Sequence, residues 1–321
     1  TKSFPNNTQL SFAIIKNGTI NFYGIKKKND TILNINNSRT IFEIGSITKV
    51  FTATLLANAV LNKKVKLNDA INPYFDFPFY NQTKISFKQL ANHTSGLSRL
   101  PSNLDVSLNP ENPYKDYSKT ALDAYLADYL SISESTKNTY EYSNLGAGLL
   151  GYTLGKLEGL SFEELLIKDV FTKYKMVNST TNFANAKGTL IKGLDVEGKE
   201  VANWEFNILT GAGGMLSNVE DLSKFAFAQF DASHIDLTLT KQQTFQIDDN
   251  TAIGLGWHIK NQNTDKTWYF HSGATGGYTA SFLLDCDAKN SIIILSNVSA
   301  FNPNMINIDS LSFELMLSLY E

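Results

Sequence analysis

"FEIGSITKVFTATLLANAV", residues 42–60, is the stretch on which the fold turns. After Gly45 its apolar residues recur at three- and four-residue spacing, which predicts a helix starting near Gly45 or Ser46. Apolar flanks on both sides predict that this helix is buried and carries Lys49 inward. Ser46 and Lys49 stand three apart, on one face of the first turn. A serine hydroxyl attacks only when a base takes its proton, and a lysine is a base only when burial or nearby positive charge lowers its pKa. A helix N-terminus helps on both counts, because its free N–H groups favour an oxyanion and disfavour an ammonium. The alternative is Ser46 as an N-cap and Lys49 as a solvated side chain. This S-x-x-K is the only one in the chain.

Upstream, "SFAIIKNGTINFYGI" places two apolar runs around Asn17-Gly18, a hairpin signal, and residues 9–35 read as strands. Downstream, "LNDAINPYFDFP" breaks the helical pattern with two prolines, and residues 86–170 read as mostly helical. Within them Ser118 is a candidate N-cap, Ser161 and Glu164 have capping-box spacing, and "NLGAGLLGYTLGKLEG" predicts a tightly packed buried helix. Residues 177–203 lack periodicity and read as loops with short strands, followed by a helix over "NVEDLSKFAFAQF". "IGLGWHI", "KTWYFHSG", "YTASFLLD" and "NSIIILSNV" then predict antiparallel strands, and "NIDSLSFELMLSLY" a closing helix.

The order predicts an α/β (α+β) fold, an antiparallel sheet flanked by helices plus a mostly helical lobe. Residues 1–62 and 205–321 would form the sheet lobe and residues 63–204 the helical lobe, with a ligand cleft between them. The chain has 321 residues, 42% hydrophobic and 18% charged, enough for a large core. A net charge of −3 argues against nucleic acid as partner. Arginine is confined to Arg39 and Arg99. The single cysteine, Cys286, allows no internal disulfide and reads as inert. The four histidines are scattered and no CxxC or HExxH occurs, so no metal site and no cofactor are expected. No apolar run is long enough for a membrane span. The chain begins "TKSFPNN" without a signal peptide, so the compartment is not read from its start.

Two more stretches complete a pattern: Tyr142-Ser143-Asn144 in "EYSNLG" and His271-Ser272-Gly273 in "FHSGATGGY". With Ser46-x-x-Lys49, in this order, they resemble the three signatures of the serine penicillin-recognising enzymes. The group resembled holds class C β-lactamases, Streptomyces-type D,D-peptidases, D-aminopeptidases and related esterases. "NHTSGL", "GAGGMLSNVEDLSKF", "GLGW" and "HSGATGGYTASF" extend the likeness over nearly the whole chain.

The resemblance implies a β-lactamase/transpeptidase-like fold and a role for each position. Ser46 would be acylated, and Lys49 and Tyr142 would move protons, either being the main base. Asn144 would bond the substrate amide carbonyl and the Lys49 ammonium. The strand of His271, Ser272 and Gly273 would lie along the substrate, and the N–H groups of Ser46 and Ala274 would form the oxyanion hole. Gly273 would keep the acyl group's approach clear. The third signature opens with His rather than the Lys usual in class C β-lactamases, which puts efficient penicillin hydrolysis in doubt. The expectation is that a partly charged His271 reads a substrate carboxylate. Outside the signatures, Arg99 is a candidate to face an acidic substrate, and His93 reads as fixing a turn. The implied activity is serine hydrolysis through an acyl-enzyme, on D-residue peptides or amides or on β-lactams. A carboxylesterase and a catalytically silent penicillin-binding relative are the alternatives. The substrate would be a small molecule or peptide, and the resemblance implies export to the periplasm or cell surface.

Overall fold

The computed structural model describes residues 3–29, 31–132, 138–261 and 266–321. Its strands are β1 Gln9–Lys16, β2 Thr19–Lys28, β3 Thr31–Asn34, β4 Phe42–Glu43, β5 Leu216–Ser217, β6 Phe245–Asp248, β7 Thr251–Ile253, β8 His258–Asn261, β9 Thr267–Ala274, β10 Thr279–Asp285 and β11 Asn290–Ser296. Its helices are α1 Thr48–Leu61, α2 Phe87–Ala91, α3 Lys119–Ala124, α4 Asn144–Glu158, α5 Phe162–Leu166, α6 Val219–Gln229, α7 Ile235–Lys241 and α8 Ile306–Ser318. Nine strands form one antiparallel sheet in the order β3-β2-β1-β11-β10-β9-β8-β7-β6, while β4 and β5 pair separately. The N-terminal strands thus join the sheet beside the last strand, with Phe12 opposite Ile294.

The central strands are buried on both faces, which is why "SIIIL" reads as a continuous apolar run rather than an alternating one. Ile292, Ile294 and Leu283 face α8 through Ile308 and Met316. Ile293, Leu295, Phe282 and Leu284 face the larger core built on α1, α4 and α6. Helix α1 has no polar stripe; nearly every residue from Thr48 to Ala59 is buried, so it runs through the centre of the molecule. Among the described residues no helix is long and apolar enough to cross a membrane.

Local signals act as expected at several points. Asn17 (φ 50°) and Gly18 (φ 74°) form the β1–β2 turn. Ser118 caps α3, and Ser161 and Glu164 close a reciprocal capping box on α5. Three expectations need correction. Residues 92–118 hold no helix, because Pro101, Pro110 and Pro113 interrupt them and side chains such as Asp105 bond the nearby backbone instead. "IGLGWHI" is not one strand: β7 ends at Ile253, Gly256 turns at φ 78°, and β8 begins at His258. Residues 177–203 hold isolated bridges rather than strands. Helix α7 and strand β6 were not anticipated. Both are short, and neither carries a long enough period to read.

Candidate active site

The chain enters α1 through a single tight turn, Gly45–Ile47, and Ser46 sits in it. From Ile41 to Ala57 every residue is buried except Ser46, which is partly open. The turn is pressed against the end of β9. Gly45 (φ 51°) leaves no room for a side chain, since a Cβ there would lie 2.5 Å from the Ala274 nitrogen. Gly273 is equally constrained, because its Cβ would lie 1.9 Å from the Ile44 carbonyl oxygen. The reason for Gly273 therefore differs from the expected one: it lets β9 touch the backbone of the serine turn, rather than only clearing room for an acyl group.

Lys49 is 3% exposed and sends its Nζ to three oxygens: Ser46 Oγ at 2.9 Å, Asn144 Oδ1 at 2.8 Å and the Ala212 carbonyl at 2.7 Å. Burial, with Arg99 nearby as a second cause, holds its pKa well below the usual lysine value. Ala212 reaches this position because α4 and the segment Asn207–Ala212 pack almost backbone to backbone at Gly148 and Gly151. Asn144 is the first residue of α4, and its Nδ2 donates to Tyr114 Oη at 2.9 Å. The helix cap itself is Ser143, whose hydroxyl accepts from the Gly146 N–H.

Tyr142, partly exposed, is wedged between rings and cations. The His93 ring lies 4.6 Å away, Lys49 Nζ 4.8 Å and the Arg99 guanidinium 5.2 Å from its centroid. Burial pushes its phenol well above the usual tyrosine range, partly offset by a hydrogen bond with Ser46. His93, at φ 59°, accepts the Ser143 N–H on Nδ1 at 3.1 Å, and its carbonyl accepts the Glu141 N–H. His93 thus clamps the segment that carries Tyr142, in keeping with its reading as a turn-fixing residue.

His271 departs from expectation. It lines the cleft but is only 2% exposed, and its Nδ1 donates to the Ser272 carbonyl at 2.6 Å. Burial first, then His258 and Lys49, hold its pKa well below 6.5. With no substrate anion beside it, burial disfavours the charged ring on which the carboxylate-reading expectation depends. On β9 the pairing with β8 stops at Phe270, so His271 to Ala274 have no β8 partner and border the cleft.

The structure therefore brings Ser46, Lys49, Tyr142 and Asn144 together against the end of β9 with His271, Ser272, Gly273 and Ala274. Sequence reasoning missed Ala212, Tyr114 and Glu43, and also Lys260 of β8, which lines the cleft with Ser46. Tyr114 and Ala212 lie in irregular segments without a pattern. Glu43 carried a signal, an acid inside the apolar run "IFEIG". Its Oε1 accepts from Asn203 Nδ2 at 2.7 Å and the Trp204 N–H at 2.9 Å, and burial raises its pKa to about 7.

A profile of the Beta-lactamase family matches residues 8–314. The chain belongs to this family. It is 25% identical over 318 residues to Protein flp of Staphylococcus aureus (strain MW2), covering 92% of this chain and 61% of that protein. The chain thus spans less than two thirds of that relative. A beta-lactamase of Providencia stuartii is 34% identical over 163 residues, half of this chain. Among solved structures, a class C beta-lactamase from Rhodobacter sphaeroides superposes with a TM-score of 0.79 at 16% identity, over 98% of this chain and 95% of its own. A beta-lactamase/D-alanine carboxypeptidase from Pseudomonas syringae gives 0.78 at 20% identity, over 98% and 94%. The fold of this family member is that of the class C beta-lactamases.

Proposed function

We propose that the protein is a serine hydrolase that acts through an acyl-enzyme on D-residue-containing peptides or amides, or on the β-lactams that mimic them. The observation that carries this reading is the array around Lys49. Its lowered pKa favours the neutral amine, which has two hydrogens and one lone pair. Asn144 Oδ1 and the Ala212 carbonyl accept the two hydrogens, which leaves the lone pair for the Ser46 hydroxyl 2.9 Å away. Tyr142, whose phenol burial pushes up, enters acylation protonated and so as the acid.

In the reaction, Lys49 takes the Ser46 proton as Oγ attacks the carbonyl carbon. The N–H groups of Ser46 and Ala274 receive the oxyanion. Tyr142 donates its proton to the leaving nitrogen and regains one from the Lys49 ammonium. Water then attacks the acyl-enzyme with the same pair working in reverse. The open edge of β9 accommodates an extended substrate as an added strand, and Asn144 turns Nδ2 from Tyr114 to the substrate amide carbonyl. A carboxylesterase on the same site is the second reading, favoured by the burial of His271, which disfavours a fixed cation on that strand.

Incubation with a fluorescent penicillin and with a fluorophosphonate, followed by peptide mapping, tests the reading. Label is expected on Ser46 and is lost in Ser46→Ala. Label on another serine, or none from either reagent, overturns it. Label from the fluorophosphonate alone moves the reading to the esterase.

A further inference from the structure

Four consecutive residues, Tyr140 to Ser143, all meet one buried residue, His93, and the contacts bracket Tyr142. The His93 carbonyl accepts the Glu141 N–H at 2.8 Å, and its Nδ1 accepts the Ser143 N–H at 3.1 Å. Between these bonds the imidazole lies against the Tyr142 ring, with centroids 4.6 Å apart, and it makes a T-shaped contact with Tyr140 at 5.9 Å. Ser143 is fully buried, so without Nδ1 its N–H would lose its acceptor in a place closed to water.

His93 holds this place against its own backbone preference. Helix α2 ends at Ala91, and the Thr94 N–H returns to the Gln89 carbonyl at 3.0 Å, the closing bond of a left-handed helix cap. The residue that makes the turn is His93, at φ 59°, where glycine or asparagine is usual and a Cβ is disfavoured. Glycine would close the same turn freely. The turn alone therefore does not account for a histidine, whereas the ring's contacts around Tyr142 do.

The Ser143 bond also fixes the hydrogen of the ring. A backbone N–H can only donate, so Nδ1 is bare and the hydrogen of the neutral ring sits on Nε2. A charged ring would carry a hydrogen on Nδ1 and lose that bond. Burial first, then Lys49, His258, His271 and Arg99, hold the His93 pKa well below the usual value, which preserves the accepting form.

We infer that His93 is a positioning residue for the proton step at Ser46: it holds the Tyr142 phenol in place beside Ser46 and Lys49 without touching substrate itself. This deepens the proposed function and rests on its assignment of Tyr142 as the acid.

The test uses two variants, each made alone and together with Tyr142→Phe. His93→Gly removes the ring and accepts the left-handed backbone. His93→Asn tolerates the same backbone and offers Oδ1 in place of Nδ1. In steady-state kinetics with 4-nitrophenyl acetate, His93→Gly is expected to lower kcat about tenfold or more and to leave KM within about twofold, the mark of misplaced machinery. His93→Asn recovers most of that loss. In the Tyr142→Phe background His93→Gly costs less than about twofold, because no phenol is left to position. Amide hydrogen exchange followed by NMR reads the clamp without turnover: protection of the Ser143 N–H falls in His93→Gly and is kept in His93→Asn. An equal His93→Gly loss in both backgrounds, no loss in either, an Asn variant as damaged as the Gly variant, or unchanged Ser143 protection overturns the inference. Fluorophosphonate labelling of the wild type reports the hydrolase reading separately. An unlabelled Ser46 defeats that reading, and Ser143 exchange then decides the clamp by itself. A labelled Ser46 and a Tyr142→Phe loss that His93→Gly does not share defeat this inference alone.

Discussion

Lys49 at the start of α1 and His271 at the end of β9 are both buried nitrogen bases beside Ser46, and their surroundings treat them in opposite ways. Lys49 Nζ has three named oxygen partners, Ser46, Asn144 and Ala212, from three separate parts of the chain, enough for both hydrogens and the lone pair of the neutral amine. Among the described residues His271 bonds only from Nδ1 to its neighbour's carbonyl, and its buried Nε2 has no partner. The α1 side of the cleft is a finished array that fixes the direction of one lone pair. The β9 side presents an unpaired strand edge and neutral groups, which a substrate would complete. Burial alone therefore does not mark out a base; the proposed role of Lys49 rests on the complete set of partners around it.

The largest test of this contrast is substitution on each side. Lys49→Ala and Tyr142→Phe are each expected to lower kcat by at least about a hundredfold, the usual scale of general acid–base help. Their combined effect should fall far short of the product, since they act on one proton. His271→Asn, which keeps a polar group without a basic ring, should cost much less. Steady-state kinetics with an activated ester decides it, and a His271→Asn loss equal to that of Lys49→Ala would erase the distinction. The pH profile adds a sign. Activity should rise with pH through the depressed pKa of Lys49 as the amine loses its proton. It should not fall again near neutrality, because the Tyr142 phenol stays protonated.

Glu43 sharpens the contrast from the α1 side, since it ties the serine turn to Asn203 and Trp204. Its pKa in the folded protein, about 7, lies above the usual 4.5, so folding favours the protonated form. Stability from this source is fully present below pH 4.5 and is lost as pH rises through 7. The difference of 2.5 units amounts to about 3 kcal/mol. Glu43→Gln keeps the acceptor oxygen for Asn203 and Trp204 but cannot ionise. The variant is therefore expected to gain on wild type between pH 5 and pH 8 in denaturant unfolding. A constant difference across that range would show that Glu43 does not change charge there.

Much of this was legible in the sequence, for physical reasons that also mark where legibility stops. The hairpin at Asn17-Gly18, the buried α1 and the continuous apolar strands carry strong periodic or turn signals, so sheet and central helix could be read. Ser46, Lys49, Tyr142 and Asn144 stand in short motifs, so their types could be found. What could not be read depends on long-range packing. The Ala212 carbonyl meets Lys49 only because Gly148 and Gly151 let α4 approach its neighbour closely. The charge state of His271 depends on burial by residues far away in the chain, and nothing in "FHSGATGGY" states it.

The smallest expected effect concerns that charge state, and it places the two sides of the cleft in direct competition. If His271 read a substrate carboxylate, its cation would be lost as pH rises through about 6.5, the unperturbed histidine value. The preference for an anionic over a neutral substrate would then fall severalfold between pH 5.5 and 7.5. Burial holds the pKa of His271 well below 6.5, so no loss of charge centred near that value is expected from its ring. Arg99 lines the other side of the same cleft. The ratio of kcat/KM for mono-4-nitrophenyl succinate to that for 4-nitrophenyl acetate should therefore change by less than about twofold from pH 6.5 to 7.5. His271→Asn should leave the shape of that curve unchanged. A steep fall centred near pH 6.5 that vanishes in His271→Asn would return the charge-reading role to β9.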